Sequence, residues 1–584
     1  MTVTKIKENI ALFAIFALLL IPFLGPYRYY NATGFMNDML TVSCITILLA
    51  STLIYCKKLV IPNYLSLLAV GGVLLVTSTF FNSTYNQTRL HLIIWLLSAG
   101  LVSICVTSIK YQYADHQRFH FKLASYVSYS SFIIAIVAFL AFYFANPFVR
   151  LTTIGFYYSY SLRMEGFLGQ PNLLAIILFL GVVASYYIID KNINRYRQAF
   201  NLVIIFVVSY CLFATLSRVA VIALSVFILY AAVNAIKNNE IKNIIKFIVV
   251  IILAYLTYHS LHSYLISLAI EQQWVPVSNT ESSQFDSVNY NRGTNLDHKI
   301  DEIKRALTIF SQYPITGAGF GRYGYYSQQL TLAGWPVYII GFPYHSHNIV
   351  SQVLAEFGAI GGIVLLAALV LLIKLFIKSF ESKTHLFMFG LIAIFGLNAL
   401  FEYALWNLNF AVLFFILIAG FSNDQSISVK VLKTPLLNTA YSIFFIAFTV
   451  VLISRWSIIT TLNTIFSKPE NVVYAETVTE DRLMGLDFSS IYLAGVKLSD
   501  PTDKNYENEV IKMEKWRPTD MVYYRKVQLD IGNNNFKDIT DNIQKALLLG
   551  STVDILEALL RVDCQDKNQA CRVAESYLKS LKNS

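Results

Sequence analysis

Two histidines separated by a single serine, His345 and His347, stand where the polar stretch 263–347 gives way to a long apolar segment. An imidazole that loses water at a membrane boundary needs a hydrogen-bond partner or a function, because burying an unpaired polar group is costly. A histidine side chain titrates near physiological pH and can take a proton from a hydroxyl group. We therefore expect the chemistry of this protein at these two residues.

Polar residues continue from the histidines into the apolar segment. Asn348, Gln352 and Glu356 are four residues apart and share one face of a helix that begins near His347. A polar stripe that enters a membrane helix either belongs to a site or ties neighbouring helices together by hydrogen bonds. Gln352 and Glu356 fit either purpose.

A glycine-rich loop precedes the histidines. Residues 314–322 read Pro-Ile-Thr-Gly-Ala-Gly-Phe-Gly-Arg. The pattern does not lie between a strand and a helix, as a dinucleotide site would. It predicts a tight turn whose backbone amides could face an anion, with Arg322 directly after it.

Three short segments elsewhere carry further polar groups beside apolar spans. These residues are Arg163, Gln170, Asn172, Ser217, Arg218, Glu402, Tyr403 and Trp406. Arg218 either contacts a ligand or extends to lipid headgroups. Trp406 fits an interfacial anchor, since tryptophan is enriched at membrane surfaces.

The composition indicates an all-α integral membrane protein. The chain has 584 residues, of which 56% are hydrophobic and 14% charged, against about 45–50% apolar residues in a soluble domain. Its apolar runs are each long enough to cross a hydrocarbon core of about 30 Å as a helix. About thirteen spans are predicted, near 10–25, 37–55, 60–80, 90–108, 123–145, 173–189, 199–216, 219–236, 244–262, 349–377, 385–401, 408–421 and 437–455.

The distribution of lysine and arginine predicts the orientation. With the N-terminus inside, the short outer loops hold only Arg28, Arg89, Arg150, Arg163 and Arg218, and positive residues are retained in the cytoplasm. The net charge of +10 is then a topology signal, without the basic block typical of nucleic-acid binding. The predicted divisions are N-terminal transmembrane helices at 1–262, a large periplasmic loop carrying active-site residues at 263–347, C-terminal transmembrane helices at 348–456, and a periplasmic, repeat-like helical domain at 457–584.

The polar tail is predicted to form helical hairpins near 501–515, 518–531, 536–549 and 552–562. Stacked helix pairs of this kind are common protein-binding platforms, although a small inert cap has the same pattern. Cys564 and Cys571 lie in this tail, where an oxidising compartment would allow either a disulfide or two thiols. No CxxC, HExxH or carboxylate cluster predicts a metal site, and no cofactor is expected.

Several of these features together resemble the bacterial O-antigen ligase and polymerase superfamily. They are His-Asn at 347–348, then Gln352, Glu356, Gly358 and Gly361, the Pro-x-x-Gly-x-Gly loop, Ser-Arg at 217–218 and Gly-Gln-Pro-Asn at 169–172. The last motif, Glu-Tyr-x-Leu-Trp at 402–406 and the polar tail look most like the PglL-type protein O-oligosaccharyltransferases, which include pilin glycosylases. The resemblance spans roughly residues 10–455.

This resemblance implies an inner-membrane enzyme that transfers a preassembled glycan from undecaprenyl diphosphate on the periplasmic face. His347 matches the family's essential histidine and Arg218 its outer-turn arginine, expected at the diphosphate. Many relatives carry an arginine where this chain has Lys299, so the second cation is either Lys299 or Arg305. The residues expected to bind substrate are Arg163, Gln170, Asn172, Lys299, Arg305, Arg322, His345, Asn348, Glu402 and Tyr403.

The expected mechanism is a single displacement with inversion at the sugar. His347 accepts the proton of the attacking hydroxyl, and cations stabilise charge on the departing diphosphate. The expected acceptor is a periplasmic protein such as a pilin. A ligase to lipid A core and a repeat-unit polymerase would use the same donor, and a polysaccharide transporter or flippase is an alternative of another class.

Overall fold

A computed structural model gives the structure of the protein. It describes residues 3–25, 35–113, 115–145, 163–189, 194–274, 295–336, 345–380, 384–422, 426–430, 504–549, 551, 553–564 and 569–582. The predicted span 437–455 lies outside these residues, as do Arg28 and Arg150 of the orientation argument.

The all-helical membrane class is confirmed. Within the described part of the chain, nine helices are long and apolar enough to cross a membrane, and three shorter apolar helices accompany them. The predicted number of thirteen is not confirmed. The long helices are α1 (Val3–Leu20), α2 (Phe35–Tyr55), α4 (Asn86–Gln112), α5 (His116–Tyr143), α6 (Pro171–Ile189), α7 (Arg195–Ala214), α8 (Arg218–Lys237), α9 (Ile241–Glu271) and α12 (Ile349–Ser379). The shorter ones are α3 (Tyr64–Ser78), α13 (His385–Phe401) and α14 (Leu408–Phe421).

The chain forms two compact units. The first comprises residues 1–72, 94–292 and 366–448, and the second comprises residues 73–93, 293–365 and 449–584.

Helix α6 lies at the centre of the first unit. It packs against α5, α7 and α13, and every residue of the helix except Asn172 is buried. A helix that is apolar on every face is expected in such a central position. Its start is fixed by Pro171 at the first helical position, where the missing N–H removes no hydrogen bond.

A two-stranded sheet is the one departure from helices among the described residues. Strand β1 (Lys58–Pro62) pairs antiparallel with β2 (Ser426–Lys430), with Val60 opposite Ser428. The strand takes the start of the predicted span 60–80, so the helix that follows it, α3, has only 15 residues.

Among its described residues, the second unit contains two helices from the long polar stretch and five from the tail. The former are α10 (Asn295–Gln312) and α11 (Tyr323–Leu332). The latter are α15 (Lys504–Trp516), α16 (Asp520–Gly532), α17 (Ile539–Leu548), α18 (Val553–Asp563) and α19 (Gln569–Lys582). Four tail helices were predicted, and α19 was not. A disulfide joins Cys564 to Cys571 between the last two.

Candidate active site

His347 adopts an unusual backbone conformation immediately before α12. Its φ is +55°, in the left-handed region that few residues other than glycine enter, although histidine does so more readily than most. Its amide donates to Nδ1 of His345 at 3.2 Å, and the two rings meet edge to face with centroids 4.1 Å apart. Both rings are half-buried. The turn therefore presents two imidazoles together at the start of the helix.

The polar stripe of α12 holds this turn. Asn348 caps the helix, because its Oδ1 accepts from the amides of Val350 at 3.0 Å and Ser351 at 3.1 Å. One turn later, Oε1 of Gln352 accepts from the amide of Ser346 at 2.7 Å. These bonds fix the residues on either side of His347. Asn348 and Gln352 therefore bond to the histidine turn. The spacing alone did not distinguish this role from hydrogen bonds to neighbouring helices.

Glu356 completes the stripe at a break in the helix. The following glycine, Gly358, has φ +62° and ψ −151°, which are not helical. The glycine-rich loop packs along this break: the amides of Ala318 and Gly319 donate to the carbonyls of Ala355 at 2.8 Å and Glu356 at 3.1 Å. The loop and the broken helix form one hydrogen-bonded structure.

This arrangement explains the glycines in physical terms. A Cβ on Gly317 would lie 2.2 Å from the carbonyl carbon of Glu356, and one on Gly358 would lie 2.4 Å from the carbonyl oxygen of Ile315. Both residues also have positive φ. The amides of residues 317–320 donate to protein acceptors, so they do not face an anion as the sequence suggested.

A segment that the sequence analysis did not single out supports the same loop. The side chain of Asn82 donates to the carbonyl of Thr316 at 3.1 Å, and the hydroxyl of Ser83 donates to that of Ala318 at 2.7 Å. The hydroxyl of Thr84 accepts from the amide of Phe320 at 2.8 Å. The only signal in the sequence was the polar run Asn-Ser-Thr beside an apolar segment.

The two terminal nitrogens of the Arg305 guanidinium are bonded to protein groups. The residue is 2% exposed, and Nη1 donates to the carbonyl of Ser327 at 2.7 Å and to the hydroxyl of Thr331 at 2.8 Å. Nη2 donates to the carbonyl of Pro336 at 2.5 Å. Its Nε lies 3.9 Å from a carboxylate oxygen of Glu302. The guanidinium therefore anchors α10 to α11 and the residues after it.

Glu302 is a buried carboxylate between α10 and α11. It is 4% exposed and accepts a short hydrogen bond from the hydroxyl of Tyr323. Burial raises the pKa of the Glu302 carboxyl above its ordinary value, because desolvation disfavours the charged form. The Tyr323 hydrogen bond and the charge of Arg305 lower the pKa in part, and a protonated His347 would lower it further. Glu302 thus lies within electrostatic reach of the candidate base.

The other two predicted cations of this unit have different surroundings. Lys299 is half-buried on α10, one turn before Glu302. Arg322 is 6% exposed, and its Nη1 donates to the carbonyl of Lys515 at 2.7 Å. No local pattern in the sequence indicates this contact, because the two residues are 193 positions apart.

Four predicted residues of the first unit form one hydrogen-bonded network. The carboxylate of Glu402 accepts from the side-chain amide of Asn172 at 2.8 Å and from that of Gln170 at 3.3 Å. Oδ1 of Asn172 accepts from Nη2 of Arg163 at 3.1 Å. The Gly-Gln-Pro-Asn and Glu-Tyr segments thus meet directly. Tyr403, next to Glu402, is half-buried.

Arg163 links this network to the turn that carries Arg218. Nε of Arg163 donates to the carbonyl of Thr215 at 2.9 Å. The turn continues through Leu216 at φ +51° to Ser217, whose side chain caps α8. Arg218 is the first residue of that helix and is exposed. Its side chain makes no hydrogen bond or ion pair with any residue that the structure describes, so it is available to an anion.

Comparison with known families supports the same class of protein. Residues 202–366 match the model of the Wzy_C family, O-antigen ligase. The match supports the O-antigen ligase superfamily and a glycosyltransferase-like membrane enzyme. No curated protein matches the chain.

The matched stretch divides the candidate residues into two groups. It contains Arg218, Lys299, Arg305, Arg322, His345, His347 and Asn348. It does not contain Arg163, Gln170, Asn172, Glu402 and Tyr403. The candidate base and the cations expected at the diphosphate lie inside the match, whereas the Gln-Pro-Asn and Glu-Tyr segments, which favoured a protein acceptor, lie outside it.

Proposed function

We propose that the protein is an O-oligosaccharyltransferase. It moves a preassembled glycan from undecaprenyl diphosphate to a serine or threonine of a periplasmic protein such as a pilin. The acceptor oxygen forms a bond to the anomeric carbon while the bond from that carbon to the diphosphate oxygen breaks. The reaction inverts the anomeric centre and releases undecaprenyl diphosphate.

The observation that carries the proposal is the histidine turn. His347 stands in a backbone conformation that its neighbours enforce, half-buried beside His345, within the stretch that matches the O-antigen ligase family. Sparsely populated backbone conformations persist where surrounding structure holds them, and they cluster at active sites. His347 would accept the proton of the acceptor hydroxyl as general base, a role that contributes about 100-fold to 10,000-fold.

Exposure distinguishes among the candidate cations. Arg218 is exposed at the start of α8, where the helix dipole also favours an anion. Arg305 is 2% exposed and already bonded to protein carbonyls. We therefore assign Arg218 to the diphosphate and favour Lys299 over Arg305 as the second cation. Both would stabilise charge on the leaving group as it departs.

The network around Glu402 is proposed to orient substrate. The side-chain amides of Gln170 and Asn172 both donate to the Glu402 carboxylate. Oε1 of Gln170 is buried and has no hydrogen-bond partner among the described residues. A buried acceptor of this kind suits a hydroxyl donor from a ligand. Gln170 and Tyr403 would then meet the acceptor or the sugar.

The orientation is part of the proposal. The lysine and arginine distribution supports an inner-membrane protein whose histidine turn and tail helices face the periplasm. The tail helices would offer a folded acceptor a surface for docking.

A second candidate is transfer to lipid A core, because the matched family is described as O-antigen ligase.

One experiment distinguishes transfer to a protein from transfer to lipid A core. The chain is co-expressed with a lipid-linked glycan and a candidate pilin, and the intact pilin is weighed by mass spectrometry while lipid A core is analysed from the same cells. We expect a mass gain of one glycan on the pilin and none on the core. Glycan on the core alone would establish the ligase, and glycan polymers alone would establish a polymerase.

A further inference from the structure

Arg322 joins the tail to the segment that supports the histidine turn. Its Nη1 and the hydroxyl of Tyr85 both donate to the carbonyl of Lys515, at 2.7 Å and 2.9 Å. Lys515 lies in the last turn of α15, where carbonyls have no partner within the helix. The negative end of the helix dipole therefore faces the guanidinium.

Aromatic rings enclose the same guanidinium. Its centre lies 4.0 Å from the ring of Tyr325 and 4.9 Å from that of Tyr85. Such cation–π contacts strengthen as water is excluded, and Arg322 is 6% exposed. The ring of Tyr326 lies 5.7 Å away. One carbonyl and three rings thus hold the side chain, and little of it is exposed to solvent.

The backbone beside Arg322 is bonded to the stripe of α12. The amide of Tyr323 donates to Oε1 of Glu356 at 3.3 Å, and the amide of Gly319 donates to the carbonyl of Glu356 at 3.1 Å. One turn earlier on the same helix, Gln352 holds the amide of Ser346, the residue before His347. A continuous series of bonds therefore runs from Lys515 to the histidine turn.

We propose that Arg322 is a positioning residue, which locks the end of α15 to the support of His347 so that the tail helps to set the placement of the candidate base. This role differs from the substrate-binding role predicted from the sequence. The tail is then a working part of the active site in addition to any surface that it offers to an acceptor. The catalytic consequence rests on the proposed function, whereas the mechanical link does not.

Hydrogen exchange tests the link without any substrate. Arg322→Met keeps an unbranched side chain, although a shorter one, and removes the charge and the guanidinium hydrogen-bond donors. Tyr85→Phe removes only the hydroxyl that donates to the same carbonyl. In Arg322→Met we expect amide exchange to accelerate about tenfold in both 504–516 and 345–352, since a charge-assisted hydrogen bond is lost. Tyr85→Phe should show a smaller change in the same two segments. Glu507→Gln, at an exposed position of α15, is the matched control and should leave both unchanged.

Steady-state kinetics distinguish a positioning role for Arg322 from direct binding of the glycan donor. A positioning role predicts that Arg322→Met lowers kcat for glycan transfer about tenfold or more at unchanged KM for the undecaprenyl diphosphate donor. A raised donor KM at unchanged kcat would show that the guanidinium binds diphosphate and would overturn the inference. Faster exchange confined to 504–516 would overturn it as well. If Arg322→Met fails to fold, hydrogen exchange and kinetics of Tyr85→Phe test the same proposal. A wild-type chain that transfers no glycan would end the proposed function but leave the exchange result standing.

Discussion

The side chain of Gln352 accepts a hydrogen bond from the amide of Ser346 at 2.7 Å. Ser346 is fully buried, so this bond satisfies a backbone donor that water does not reach. The bond also fixes the residue before His347, whose left-handed conformation depends on its neighbours. Gln352, a polar residue in a membrane helix, therefore stabilises the backbone beside His347.

Gln352→Met should therefore loosen the histidine turn while keeping the volume of the side chain. Leaving a buried amide without an acceptor costs about 1–3 kcal/mol, and we expect a comparable loss of stability in detergent together with reduced glycan transfer. Thermal unfolding and an intact-mass assay of the acceptor measure the two effects. Gln329→Met, at a half-buried position of α11, is the control and should change neither. Unchanged unfolding and transfer in Gln352→Met would mean that the bond does not hold the turn.

His347→Asn separates the imidazole from the backbone conformation. Asparagine tolerates a positive φ, so the turn should persist while the proton acceptor is lost. We expect transfer to fall at least about 100-fold, the lower range for a general base, with normal protein levels. His259→Ala, at an exposed position of α9, should retain full transfer. Substantial glycosylation by His347→Asn would remove the histidine from the mechanism.

Gly317→Ala should be strongly destabilising. The new Cβ would lie 2.2 Å from a backbone carbon of Glu356, and the φ of +73° disfavours alanine. The left-handed conformation alone costs about 1–2 kcal/mol, and the steric overlap adds to it. Unfolding temperature and membrane expression report the loss. Gly396→Ala is the matched control in α13, because beyond its adjacent residues and its own helix backbone no described atom lies within 4 Å of the added Cβ. Equal behaviour of the two variants would contradict the packing of the loop against the helix break.

Glu302→Gln should change how stability depends on pH. Burial raises the pKa of the Glu302 carboxyl, so the folded protein binds more protons than the unfolded chain between the ordinary value of 4.5 and the raised one. Stability from this group is therefore lost as pH rises through that window. The variant cannot ionise, so its unfolding temperature relative to wild type should increase as the pH rises above 4.5. The test is a thermal-unfolding series in detergent, with Glu507→Gln as the exposed control. A difference that does not vary with pH would show that Glu302 is not desolvated.

Much of the fold could be predicted because its signal is local. A run of apolar residues long enough to cross a bilayer identifies a helix whatever surrounds it, and each of the nine long helices overlaps a predicted span. The ends are less well predicted: α1 and α5 each begin about seven residues earlier than expected. Helix α9 continues to Glu271, beyond the predicted end near 262. Strand β1 was missed because its partner lies more than 360 positions away, so nothing nearby marks it.

Residue types and order along the chain determined by themselves that this is a helical membrane protein with two histidines at a polar boundary, and they suggested the ligase superfamily. Tertiary structure alone decided what each polar side chain contacts. Arg305 and Arg322 look alike in the sequence as candidate cations, yet both guanidiniums are bound to backbone carbonyls, whereas Arg218 is exposed. The physical reason is that a guanidinium whose donors are bonded to backbone carbonyls has less capacity left for a ligand, and those carbonyls belong to residues far away in the sequence.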